Sequence, residues 1–356
     1  MKKYLRINSN FRNLNLALIL LLIIIFLGNV SLNVIAQEKY DLRFAVFLPS
    51  NHGEVTQVYE PWIDRIYEAT DGRVKITMFC GETLIKATDT YSGVVSGIAD
   101  LGMSDFGYNI GRFPVMSTLF LGGIVYNNSK VSSYVIRDFM EKYSPKEIQD
   151  TKIMYAYALT PGDLLLKKPV HNLEDLAGMQ IRASGKCVDN LEAVGALPVA
   201  MPMSDAYEAL SKAVIDGNLA PIEVLESYNM AEVCDYVTFT PFMYNIIHYV
   251  TMNKDLWNSL PVDIQNIIEE VNSETFEELA SVFSYNSWIT GKEYAIEKGI
   301  ELITLSDDEQ DRWTERLQPL HEEYISELDK KGYPGREMVE TVKELADKYN
   351  KEVVLD

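Results

Sequence analysis

Residues 41–53, DLRFAVFLPSNHG, begin with an apolar run from Asp41 to Leu48 that stops at Pro49-Ser50-Asn51-His52-Gly53. Val, Phe and Leu suit a pleated, half-buried surface, whereas Pro, Ser, Asn and Gly break it and supply a turn. The period then changes. Val55, Val58, Trp62, Ile63 and Ile66 fall on one helical face. Asp71-Gly72 ends that helix, and from Arg73 to Phe79 the residues Val74, Ile76 and Met78 alternate with Lys75 and Thr77, the period of a strand. A short helix over 91–97 leads into Ala99-Asp100-Leu101-Gly102-Met103, a third strand ending at Ser104. Strand, helix, strand, helix, strand with short links predicts an α/β fold, a mostly parallel sheet with helices on its faces.

The same grammar recurs downstream. Residues 152–159, 163–166 and 179–183 read as strands, a helix follows through Val194, and Val199-Ala200 begin a short strand closed by Pro202. Ser204 is placed to cap a helix whose inner face is Ala206, Tyr207, Leu210, Ala213 and Val214. Each half holds a helix that ends at an Asp before a short strand: Gly97-Ile98-Ala99-Asp100 and Ala213-Val214-Ile215-Asp216. That echo predicts two α/β lobes of similar construction. The last third is helical. Pro261 opens a pattern carrying Ile264, Ile267, Ile268 and Val271 that runs to about Lys298, Ser306 caps a second helix, and a third spans 337–349. At about 1.5 Å per residue the first is too long for one small lobe and is predicted to bridge both.

The 356 residues are 47% hydrophobic and 24% charged, ordinary globular proportions that exclude a fibre or a disordered tail. A net charge of -20 with no basic patch makes nucleic acid an unsuitable partner. Residues 1–36 differ from the rest: Lys2, Lys3, Arg6 and Arg12 precede an apolar run from Leu14 to Leu27, and Val34-Ile35-Ala36 ends in small-residue character. This reads as a secretory signal peptide cleaved near Ala36, because Gly28 and Asn29 interrupt the run short of the roughly 20 residues a spanning helix needs, the other reading being an uncleaved membrane anchor. The product is expected in the periplasm. Cys80, Cys187 and Cys234 are too few and too scattered for a disulfide framework and read as buried small hydrophobes, with Cys187 to Cys234 the one pairing left open.

Catalytic and cofactor motifs are missing. The chain has no G-x-S-x-G, H-E-x-x-H, EF-hand loop or G-x-G-x-x-G, and no Cys or His pair has metal-ligand spacing, so neither cofactor nor metal is expected. His52, His171, His248 and His321 are dispersed, and the many paired acids, such as Glu269-Glu270, read as solvated helix faces. The pattern favours binding over catalysis.

The most specific stretch is Glu174-Asp175-Leu176-Ala177-Gly178-Met179-Gln180-Ile181-Arg182. It resembles the "D-L-x-G-x-x-I-R" segment of DctP-type solute-binding subunits of tripartite ATP-independent periplasmic (TRAP) transporters. The likeness continues through residues 191–199, 201–210 and Val214-Ile215-Asp216-Gly217, with earlier landmarks at Gly72-Arg73-Val74-Lys75 and Gly97-Ile98-Ala99-Asp100-Leu101-Gly102. The resemblance implies two lobes hinged about a cleft with a long C-terminal helix spanning both: lobe I from 37–158 plus about 247–285, lobe II from 159–246 plus about 286–356. It also implies that Arg182 pairs with a ligand carboxylate. A planar guanidinium offers a two-point fork to a carboxylate, and a desolvated cleft strengthens that pair.

Other candidates come from position. His52 lies at the C-terminal end of the first strand, where open α/β sheets place ligands, and Ser104 and Tyr108 follow the third strand. Many members of the family resembled carry an Asn in "D-G-x-x-N-P". Here Asp216-Gly217-Asn218-Leu219-Ala220-Pro221 puts Ala220 there, so the second polar clamp moves to Asn218 or Glu223 and the ligand is expected to have an apolar body. Phe242, with Met243 and Tyr244, is the candidate apolar wall, the other reading being core. The reading is a monomeric, non-catalytic receptor for a small organic acid, working with TRAP membrane subunits. The alternatives are a receptor of an ATP-driven importer, a sensor's binding subunit, or a secreted hydrolase or lyase using Glu223 with His52.

Overall fold

β1 (Tyr40–Val46), β2 (Val74–Phe79), β3 (Leu101–Asp105) and β4 (Thr151–Ala158) are laid down in sequence order with helices between them. The structure, a computed structural model, describes residues 38–109 and 111–355, so the expected signal peptide lies outside the described residues. After β4 the backbone passes through residues 159–162 into a second sheet. That sheet is built by β5 (Asp163–Leu166), β6 (Gln180–Ala183), β7 (Leu197–Ala200), β8 (Gly217–Ala220) and β9 (Tyr236–Phe239). The backbone then returns for β10 (Ile247–Asn253), and the short β11 (Glu301–Thr304) rejoins the second sheet. The strand orders are β2-β1-β3-β10-β4 and β11-β9-β5-β8-β6-β7.

Both sheets are mostly parallel with one inverted strand. β1 pairs in parallel with β2 and β3, and β10 runs antiparallel between β3 and β4. In the second sheet β6 is parallel to β7 and β8, and β11 to β9, while β5 runs antiparallel to β8 and β9. The inverted strands, β5 and β10, are those entered on crossing from one sheet to the other. Sequence periodicity identified neither β9, β10 nor β11. β10 is buried almost throughout on both faces, so it lacks the alternation that marks a half-buried strand.

The echo between the halves has a structural counterpart. Asp100 Oδ2 accepts from the Arg43 backbone N–H at 2.8 Å, and Asp216 Oδ2 accepts from that of Gln180 at 2.9 Å. The Asp backbones return the contact, donating to Arg43 O and Gln180 O. In both lobes an Asp before a strand thus clips it to the neighbouring parallel strand. The left-handed turn before each Asp is made by Gly97 in one lobe and by Ala213 in the other.

Helices Val262–Thr275 and Ser281–Glu297 join through a π-helical turn, Phe276–Ala280, into one continuous run. At one end the Trp62 indole N–H donates to Asn272 Oδ1 at 2.9 Å, tying the run to the helix Glu60–Ala69 beside the first sheet. Toward the other end a Cβ at Gly291 would sit 2.9 Å from Ile222 Cγ2 and 3.2 Å from Glu223 N, so only glycine permits this approach to the second lobe. The fold is therefore two-lobed with a long helix spanning both, as expected. The terminal helix Gly335–Glu352 lies along Ser129–Tyr143, where Lys142 Nζ donates to Thr341 Oγ1 at 2.9 Å; the sequence had grouped it with lobe II. Ser204 does not cap a helix: it lies inside the 3-10 turn Met203–Asp205 that precedes Ala206–Ser211. Cys80, Cys187 and Cys234 are unpaired, the last two in separate apolar clusters. Among the described residues no helix is long and apolar enough to cross a membrane.

Candidate functional site

β6 carries Arg182 into the space between the lobes, where its side chain is only 2% exposed. Nε donates to Met201 O at 2.9 Å, and Nη1 lies 3.4 Å from Asn218 Oδ1 and 3.7 Å from Met203 Sδ. The Tyr108 hydroxyl also hydrogen-bonds the guanidinium. A buried guanidinium held by a carbonyl, an amide, a thioether and a phenol is oriented but not neutralised by them, so an anion beside it is favoured. Tyr108 is close by: its hydroxyl oxygen accepts from Met203 N at 3.3 Å, leaving its proton available, and burial pushes its phenol up to about 12.

Buried carboxyls surround the same space. Asp105 accepts from Gly107 N at 2.8 Å and from Ser184 Oγ at 3.2 Å; burial raises it, against the opposing charge of His248. Glu54 is completely buried and is gripped by His248 Nδ1 at 2.9 Å, by the Tyr157 hydroxyl and by Tyr59 OH at 3.3 Å. Burial alone would push Glu54 up, but the His248 charge and hydrogen bond outweigh it and hold the carboxyl below its ordinary value. His248 is correspondingly raised, its burial penalty overcome by Glu54. His52 behaves differently. Its Nδ1 accepts the Glu54 backbone N–H at 3.2 Å, and burial lowers it to about 4, so it is neutral at physiological pH. Glu223, at the turn after β8, is pushed up to about 8 by burial and by the Glu54 charge.

These groups line one cavity, walled from the first lobe by Phe47, His52, Glu54, Asp105, Tyr108 and His248 and from the second by Arg182, Ser184, Met203, Ala220, Glu223 and Tyr228. About 370 Å³ among these side chains is unfilled by atoms, a figure that includes space open to solvent. The lobes meet over it: the Ser184 to Asp105 bond crosses between them, and a Cβ at Gly185 would lie 2.8 Å from Gly107 Cα.

Residues 44–327 match the family described as bacterial extracellular solute-binding protein, family 7, DctP. The chain belongs to that family. A TRAP periplasmic solute-binding protein from Desulfovibrio salexigens, solved as an open complex with the C-terminus of a symmetry mate in its ligand-binding site, is 33% identical to this DctP-family protein. The likeness covers 89% of this sequence and 98% of that one, with a TM-score of 0.77. A Bordetella bronchiseptica TRAP protein with bound (R)- and (S)-mandelate is 26% identical over 86% of this sequence and 99% of its own, TM-score 0.80. A solute-binding protein of Roseobacter denitrificans is 27% identical over 245 residues, 67% of this sequence and 69% of that relative. The family consists of periplasmic solute receptors rather than enzymes.

Within this DctP-family protein the cavity gathers Arg182, His52, Tyr108, Ala220 and Glu223 from the sequence-based candidates. Three others lie elsewhere. Ser104 turns into the first lobe, donating to Ala87 O at 2.8 Å. Asn218 is fully buried beside Arg182 and orients the guanidinium, so it is not itself a wall of the cavity. Phe242 is core: its ring packs edge-on against Trp313 at 6.1 Å. Sequence reasoning missed Glu54, Asp105, Ser184, Tyr228 and His248. Glu54 and Asp105 sat next to residues that were singled out, whereas nothing local to His248 on the unread β10 marks it.

Proposed function

We propose that this protein is a periplasmic, monomeric receptor that binds a small organic acid between its lobes and delivers it to the membrane subunits of a TRAP transporter. Arg182 anchors the carboxylate. The observation that carries this reading is the buried Arg182 guanidinium lining the interlobe cavity, which touches a carbonyl, an amide, a thioether and the Tyr108 hydroxyl but has no ion pair with a carboxylate among the described residues. A ligand carboxylate would pair with that guanidinium and accept the Tyr108 proton in a hydrogen bond. The Desulfovibrio relative holds the C-terminus of a symmetry mate, a carboxylate-bearing end, in its binding site, and the Bordetella relative holds mandelate, a carboxylate on an apolar ring. Both support an acid ligand here. The walls Phe47, Met203 and Ala220 suit an apolar body.

Binding and closure are coupled because the cavity is shared. A ligand touching Arg182 in one lobe and first-lobe groups in the other stabilises the closed form only by its differential affinity for that form. His52 supports a role without catalysis, since an imidazole lowered to about 4 with Nδ1 already engaged is a poor proton acceptor at neutral pH. The test is a thermal-shift screen of the purified exported protein against mono- and dicarboxylates. An acid at about 100-fold over its dissociation constant should add about 2.7 kcal/mol of stability. The shift should vanish in Arg182→Ala, and bound acid should be recovered chemically unchanged. A shift that survives in Arg182→Ala removes the anchor assignment, and a converted ligand removes the receptor.

A further inference from the structure

The interlobe cavity has two chemically different ends. Around Arg182 stand Tyr108, Ser184 and Met203. Away from it, Glu223 lines the cavity with Glu54 and His248, whose charges it feels, and Tyr228 on the same wall feels those of Glu54, Glu223 and Arg182. Hydrogen bonding at the far end is incomplete. Glu54 Oε2 is buried without a partner, and the Tyr228 hydroxyl is buried without one as well. The Glu223 carboxyl has its own backbone N–H and the His248 charge in its favour. Glu54 Oε2 is thus a buried acceptor without a donor, and an unmet buried acceptor costs free energy that a ligand donor can recover.

Resting on the reading of Arg182 as carboxylate anchor, we propose that Glu223 and Glu54 form a donor-accepting subsite, so that the ligand is a monocarboxylate bearing a hydroxyl or ammonium group at its far end. A second carboxylate is disfavoured there. It would face Glu54, which is ionised, and its charge would be added to a pocket whose one imidazolium, His248, is already engaged by Glu54. An apolar far end would leave Glu54 Oε2 without a partner. A hydroxyl can donate to Glu54 Oε2 while accepting from protonated Glu223. An ammonium would instead ionise Glu223 and expel its proton to solvent.

The test is calorimetric titration of the purified exported protein with two matched series. One comprises butyrate, 4-hydroxybutyrate, 4-aminobutyrate, 4-methoxybutyrate and succinate; the other comprises benzoate and its 3-hydroxy, 3-aminomethyl, 3-methoxy and 3-carboxy derivatives. In at least one series a donor-bearing acid should bind about tenfold or more tighter than its parent. The methoxy ether should lose that gain, and the dicarboxylate should bind no better than the parent. Repeating the titrations in buffers of different ionisation heat separates the sources: an ammonium ligand releases a proton and a hydroxyl ligand does not. In Glu223→Leu the ratio between donor-bearing acid and parent should fall, the donor then keeping Glu54 Oε2 alone. Glu223→Gln, which keeps shape and an acceptor, should retain the hydroxyl preference and lose the ammonium preference. A parent acid or dicarboxylate that binds as tightly as the donor-bearing member overturns the subsite while leaving the carboxylate anchor standing. A donor preference that persists undiminished in folded Glu223→Leu overturns the role of Glu223. If no acid of either series binds the wild type, the Arg182 reading fails and the subsite falls with it.

Discussion

Replacing Glu223 by Gln should make the ligand-free protein more stable, and increasingly so as pH rises. The Glu223 carboxyl stands at about 8 in the folded protein against an ordinary 4.5, because burial and the neighbouring Glu54 charge both disfavour its ionised form. Between those two values the folded state keeps the proton while the unfolded state has lost it. Stability therefore falls as pH rises through this window, and it levels off above the folded value. At about 1.36 kcal/mol per pH unit the full penalty would reach about 5 kcal/mol by pH 8. The side chain is only partly shielded from solvent, which reduces the working figure to about 2–3 kcal/mol. Gln cannot ionise, so the variant escapes the penalty. For a domain of this size that corresponds to a Tm difference of roughly 5 °C, near zero at pH 4.5 and largest from pH 8 upward. Urea or thermal unfolding of both proteins at each pH unit from 4 to 9 reads the difference directly. Because Asp163, raised to about 7 by its own burial, titrates in both proteins, the variant-minus-wild-type difference isolates Glu223. A difference that stays constant with pH would refute the reasoning, since a packing effect carries no proton linkage.

Three further outcomes test the frame around the site. Gly162→Ala should cost about 3 kcal/mol or more in urea unfolding, because its Cβ would fall 1.7 Å from Tyr244 Cε1 at the crossing between sheets, and Tyr244 is held by its hydrogen bond to Leu219 O. Ala213→Gly should stabilise by about 1 kcal/mol, since Ala213 holds φ 55° on an exposed turn where glycine carries no Cβ penalty. Asn272→Leu should cost about 1–3 kcal/mol by leaving the buried Trp62 N–H unpaired, while Trp62→Phe combined with it should recover part of that loss.

Much of the architecture was legible in local pattern because it is made locally. The alternation of Val74, Ile76 and Met78 and the helical face of Trp62 and Ile66 report which side of each element meets the core, and those residues are buried or partly buried as expected. The two Asp clips were visible as a four-residue echo because each acts between an Asp and the adjacent parallel strand. Arg182 was reached through the resemblance of a contiguous stretch, and its neighbour Asn218 was picked out for a role that its burial behind the guanidinium redirects.

Sequence alone, then, established an acidic α/β protein of two similar lobes, a bridging helix and an arginine suited to a carboxylate. Tertiary structure alone decided what surrounds that arginine. Glu54, Tyr157 and His248 are separated by up to 194 positions in sequence, yet they share one buried hydrogen-bond cluster. Their meeting depends on β10 entering the first sheet antiparallel between β3 and β4, a pairing that no local period encodes. Ser104 and Phe242 turned inward for the related reason that the direction of a side chain at a strand end or crossing loop is set by what packs against it. Periodicity reports how an element meets water, whereas a binding site is composed by elements meeting one another.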